Sequence, residues 1–199
     1  MKSRNWVKLF LTTLLVGAIS TSIVGFALKW SEYKPLFLNV DVIEILSILL
    51  WLIGVGFIFS IISQMGFFAY LTVHRFGLGI FRKLWNPVQL VIIAFVFFDL
   101  IYFRYQAFAA DRGDSLISYI TIALVIFIYC IVIALIKTKM TNKHAFVPAL
   151  FFMYVISIIE WFPALRVNEA SWLYLMIIPL LICNAYQLLI LPKIANEKS

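Results

Sequence analysis

Ser63-Gln64-Met65-Gly66-Phe67-Phe68-Ala69-Tyr70-Leu71-Thr72-Val73-His74-Arg75-Phe76-Gly77-Leu78-Gly79-Ile80-Phe81-Arg82 changes character half-way along. Its first half closes the apolar run Val42 to Val73, a window of 32 residues. Roughly 20 residues suffice to cross a hydrocarbon core, so a helix of that length must tilt, kink near Gly54 and Gly56, or protrude into water. Beyond Val73 the periodicity shifts. Placed on a helix, Arg75, Gly79, Arg82 and Asn86 share one face, while Phe76, Ile80 and Leu84 share another. That is the pattern of a short basic amphipathic segment on an anionic leaflet. Gln64, His74, Arg75, Gly77, Gly79, Arg82 and Lys83 are therefore the candidate contacts for anionic lipid or a partner. A plain connection between two membrane helices has the same composition, and this stretch by itself leaves both readings open.

Working outward, composition selects the class. The chain has 199 residues, 64% hydrophobic and 13% charged, with mean hydropathy +1.04. Soluble domains use about half apolar and about a quarter charged residues. The expectation is a polytopic integral membrane protein, all-α because its apolar runs are long rather than alternating. Six runs can cross a bilayer, within one domain over residues 1–199: about 6–28, 42–73, 87–103, 115–136, 145–162 and 171–191. Lys2 and Arg4 before the first run resemble a secretory signal, but the run is long and five others follow, so it reads as a retained anchor. Asn86-Pro87 suits the start of the third helix, Pro163 the end of the fifth and Pro192 the end of the sixth.

Lysine and arginine set the orientation, because cytoplasmic loops retain them. Eleven of the sixteen basic residues fall on one side: Lys2, Arg4, Lys8, Arg75, Arg82, Lys83, Lys137, Lys139, Lys143, Lys193 and Lys198. Eight of the nine acidic residues lie at or near the other side, with Glu197 the exception. Both termini are expected inside. The formal charge of +7 thus reports topology and attraction to anionic lipid, not nucleic acid. Connections are too short for a soluble catalytic domain, and no internal repeat or linker is evident.

Ionisable residues within spans are the usual mark of transport or chemistry. Glu44, Asp99 and Glu160 qualify, but each sits near a span end, and with Arg104 and Arg166 they read as an outer polar cluster rather than a proton relay. Catalytic patterns are missing. His74 and His144 lie in separate connections, Asp99 has no second intramembrane aspartate, and no Gly-x-Ser-x-Gly or phosphate-cradling loop occurs. Cys130 and Cys183 fall inside apolar runs and read as reduced packing residues. No catalytic residue, metal site or cofactor is expected. Gly17, Thr21 and Gly25 form a groove of small residues on the first helix, suited to a close helix neighbour. Gln64, Gln89, Asn184 and Gln187 are expected to make interhelical hydrogen bonds, and Pro179 to kink the sixth helix, leaving open a ligand pocket beside it.

The run Ser63 to Arg82, then Leu84-Trp85-Asn86-Pro87-Val88-Gln89 and Phe98-Asp99-Leu100-Ile101-Tyr102-Phe103-Arg104-Tyr105, resembles the KinB-signalling pathway activation protein family. The opening Met1-Lys2-Ser3-Arg4-Asn5-Trp6, the length and the six spans fit too. The resemblance implies a multi-pass protein of the bacterial plasma membrane. It further implies an activator of a membrane sensor histidine kinase that feeds the relay starting sporulation, and the missing catalytic patterns make a non-enzymatic role the expectation. No catalytic residues are established in the family to carry over. Two other classes remain: a small-molecule carrier such as the substrate-binding subunit of a vitamin transporter, and a membrane enzyme using Asp99 or Glu160.

Overall fold

The computed structural model describes residues 3–112 and 115–196. Of the charges used for topology, Lys2, Asp114, Glu197 and Lys198 lie outside the described residues, as do the side chains of Asp111 and Arg112. Everything described is helix or short turn, with no strand among the described residues. The helices are α1 (Ser3–Leu28), α2 (Trp30–Leu38), α3 (Val42–Phe81), α4 (Trp85–Arg112), α5 (Leu116–Met140), α6 (Phe146–Phe151), α7 (Ser157–Val167) and α8 (Ala170–Asn196). Among the described residues, five helical segments, including Val42–Ala109 taken as one, are long and apolar enough to cross a membrane by length and composition. The backbone forms two compact units, Met1–Phe68 with Ile159–Ser199, and Ala69–Ile158.

In the first unit α1 lies along α8, and the expected groove of small residues is where α1 and α3 meet. A Cβ added to Gly17 would lie 2.7 Å from the Gly56 carbonyl oxygen, and one on Gly56 would lie 2.6 Å from that of Gly17. Two backbones at such range leave no room for a side chain. Gly54, only two positions earlier, faces open space. Neither glycine interrupts α3, which runs unbroken for 40 residues.

Two prolines differ from expectation. α7 continues past Pro163 to Val167, and α8 continues past Pro192 to Asn196, with Pro179 in its interior. A proline removes one N–H from the ladder, which a helix inside an apolar bundle tolerates when neighbours absorb the freed carbonyl. The stop after α7 instead comes at Asn168, whose left-handed φ of 53° is a conformation asparagine accepts more readily than most residues. Likewise α4 begins at Trp85, one residue before the expected Asn cap.

In the second unit α4, α5 and α6 pack together. Ser115 caps α5, its Oγ accepting from the Ile117 N–H at 3.3 Å. Between α6 and α7 the chain widens into a π-helical turn, Phe152–Ile156, whose Phe152, Met153 and Tyr154 are wholly buried. A π-turn displaces carbonyls from the regular ladder. The thiol of Cys130 donates to one of them, Met153 O, at 3.2 Å. Both cysteines are free and buried, as packing residues should be.

Candidate functional site

Two constellations stand out, one in each unit. In the first, α3 carries Ser60, Ser63 and Gln64 on one face at spacings of three and four, and α8 carries Asn184 and Gln187 at a spacing of three. The spacing aims both sets inward, and all five are buried. Gln187 Nε2 donates to Ser63 Oγ at 2.6 Å, and Ser63 Oγ donates to Asn184 Oδ1 at 2.6 Å. Asn184 Nδ2 then donates to Glu160 Oε2 of α7 at 2.7 Å. The result is a directed chain of donors, amide to hydroxyl to amide, ending on a carboxyl group. Gln64 Nε2 adds a bond to Ser60 Oγ at 3.2 Å.

In apolar surroundings such a chain is costly to leave incomplete, because each buried polar atom without a partner carries its full desolvation penalty. Two acceptors, Glu160 Oε1 and Gln187 Oε1, are buried with no hydrogen-bond partner. The ladder therefore ends in unused acceptor capacity at both of its termini.

The second constellation stands at the junction of α3 and α4. Tyr70 and His74 lie one turn apart on α3, and Trp85 opens α4. Trp85 Nε1 donates to His74 Nδ1 at 2.9 Å, and Tyr70 Oη donates to the Pro148 carbonyl at 2.8 Å. An indole N–H can only donate, so this bond requires His74 Nδ1 to be the unprotonated ring nitrogen. Gly77 is needed because Trp85 lies flat against it: a Cβ there would come within 2.4 Å of the ring. Phe81 stacks on the same indole, with centroids 5.8 Å apart at 16°.

The residues singled out from sequence are thus dispersed. Gln64 is buried in the first unit, while His74 and Gly77 are packing partners of Trp85. Arg75, Gly79, Arg82 and Lys83 are exposed, beside exposed Phe76, Ile80 and Leu84. The expected continuous face from Arg75 to Asn86 does not form. α3 stops at Phe81, Arg82 takes a left-handed φ of 49°, and Arg82–Leu84 form a 3-10 turn. Trp85, fixed on His74 and Gly77, can reach them only if the chain turns there.

Of the acidic and basic set, Glu44 is exposed in the first turn of α3, its N–H 3.4 Å from Asp41 Oδ1. Asp99 is half-buried on α4, and Arg104 lies over the Tyr119 ring at 5.2 Å. Arg166 is exposed, whereas Glu160 is buried on Asn184. Among the described residues no three His, Cys, Asp or Glu side chains are grouped as a metal would require. What sequence reading missed is the place of Ser60 and Ser63 in the ladder. The signal was present: two serines and a glutamine at helical spacing within an apolar run.

These features define an all-helical protein with long apolar helices, braced in one unit by a buried chain of amides, a hydroxyl and a carboxyl. A family model described as KinB-signalling pathway activation in sporulation matches residues 17–194. The chain is also 55% identical over 199 residues to the KinB-signaling pathway activation protein of Bacillus subtilis (strain 168), covering 99% of this chain and 100% of that protein. It belongs to the KbaA family of KinB-signalling pathway activation proteins. No solved structure matches it.

Proposed function

We propose that the chain is a multi-pass protein of the bacterial plasma membrane that activates a membrane sensor histidine kinase feeding the sporulation phosphorelay. It acts without catalysis, by contact within or beside the membrane. The observation that carries this reading is the 55% identity, end to end, with a relative named for activating the KinB pathway. Membrane insertion is supported by a mismatch between composition and burial. The most apolar window of Val42–Ala109 has mean hydropathy 2.7, yet only 22% of it is buried. Apolar surface left uncovered on that scale calls for lipid.

The 68 residues of that segment would stretch about 100 Å as one helix, against about 30 Å of hydrocarbon. With a turn at Arg82–Leu84, two crossings are the natural reading, and six crossings in all. Charge distribution then puts both termini inside, together with the exposed Arg75, Arg82 and Lys83. Flanked by exposed Phe76 and Ile80, at 67% and 73% exposure, these cations suit anionic headgroups and an acidic face on the kinase. A partner activates a two-state kinase only by binding one state more tightly, about 1.4 kcal/mol for each tenfold shift.

The test replaces Arg75 and Arg82 by glutamate in the native gene. Insertion and protein level should hold while kinase output and sporulation timing fall behind. Unchanged timing at normal protein level removes this surface from the mechanism. Site-specific crosslinking from positions 74 to 83 in native membranes distinguishes kinase from lipid as the neighbour.

A further inference from the structure

Within the unit formed by Met1–Phe68 and Ile159–Ser199 there is a cavity of about 240 Å³, away from the amide ladder. Its floor is where Gly25 of α1 meets Leu52 of α3; a Cβ on Gly25 would lie 2.4 Å from a Leu52 methyl carbon. Aromatic walls come from Tyr33, Trp51 and Trp172, the two indoles lying edge to face with centroids 6.3 Å apart. Two opposite charges line the same space. Lys29, at the α1–α2 junction, is held by Glu32 at 3.3 Å, and Glu169 follows the left-handed Asn168 in the turn before α8. Among the described residues no salt bridge joins Lys29 to Glu169.

A cavity with that lining discriminates by charge. A simple cation would gain Glu169 and the indole faces but meet Lys29, while a simple anion would compete with Glu32 for Lys29 and meet Glu169. A molecule carrying both charges can meet both walls, its anionic end sharing Lys29 with Glu32. At about 30 Å³ per water-sized group, the space takes roughly eight such groups, the size of a small amino acid or of ethanolamine phosphate. We propose that this cavity binds a small zwitterion, its ammonium toward Glu169 and the tryptophans and its anionic oxygen toward Lys29. The ligand is either a free metabolite or the headgroup of an aminophospholipid, which present the same chemistry.

The test uses the full-length protein in an uncharged maltoside detergent, followed by tryptophan fluorescence. Titration with O-phosphoethanolamine and with serine should give a saturable change from at least one of them. Ethanolamine alone and inorganic phosphate alone should bind at least tenfold more weakly. Glu169→Gln and Lys29→Met should each weaken binding at least tenfold with the thermal midpoint unchanged, and Trp172→Phe should weaken it less. Should the tryptophan variant fold poorly, the two substitutions at exposed charges still decide the matter. Nanodiscs of phosphatidylglycerol with and without phosphatidylethanolamine separate the sources. A lipid ligand is retained in native mass spectrometry only from the nanodiscs that contain phosphatidylethanolamine and is lost in Glu169→Gln, whereas a free ligand binds equally in both. No saturable binding of either zwitterion together with no retained aminophospholipid, equal affinity for ethanolamine alone, or undiminished binding by both charge variants would overturn the proposal.

Discussion

The two constellations are built on opposite principles. The ladder from Gln187 to Glu160 holds its helices by directed hydrogen bonds between groups that are all buried. The α3–α4 junction holds Trp85 by shape, with glycine beneath and aromatic rings beside it, plus one hydrogen bond to His74. The first has nothing to offer the surroundings, whereas the second ends in exposed Arg75, Arg82 and Lys83. A network of obligatory partners resists change because removing one member strands the others. A packed turn yields by degrees.

The contrast can be broken most directly at Asn184, which joins Ser63 to Glu160. Asn184→Leu should cost about 3 kcal/mol, since it leaves a buried carboxyl group and a hydroxyl without their partner. Equilibrium unfolding in mixed micelles measures it. A loss below about 1 kcal/mol, the range of an ordinary hydrogen bond within a membrane, would mean the ladder is a string of independent pairs. The double variant with Ser63→Ala sharpens this, because network members should give a combined loss smaller than the sum.

At the junction, Gly77→Val should cost about 2 kcal/mol by forcing Trp85 off its seat, with a change in tryptophan emission that the ladder variants lack. Trp85→Phe deletes the donation to His74 and trims the indole that rests on Gly77, so about 1.5 kcal/mol is expected. If Trp85→Phe proved the more damaging of the two, the junction too would depend on hydrogen bonding, and the contrast would fail. The smallest effect belongs to Tyr154→Phe. The Tyr154 hydroxyl is buried without a hydrogen-bond partner, so its removal should leave stability within about 0.5 kcal/mol of the parent or raise it slightly.

Much of this architecture can be read from residue order. Gly17, Thr21 and Gly25 announce a close helix contact whatever the partner, because only small side chains let two backbones approach. Asn184 and Gln187 announce a shared polar face, because a spacing of three fixes their common direction. Proline was a poor guide. Pro163 and Pro192 read as stops, yet their helices run on, since an apolar bundle offers the chain no better place for its remaining N–H and C=O groups.

The amino-acid order by itself determined that the chain is built of long apolar helices and which side chains must seek polar partners. These are consequences of local periodicity and of the cost of burying an unsatisfied dipole. Only the tertiary structure decided who the partners are. It placed Glu160 on Asn184 rather than on an arginine, and Gly17 opposite Gly56. It also ended α3 at Phe81 so that Trp85 could settle on Gly77. Such pairings depend on how distant helices are rotated and shifted against one another, and no spacing along one helix carries that information.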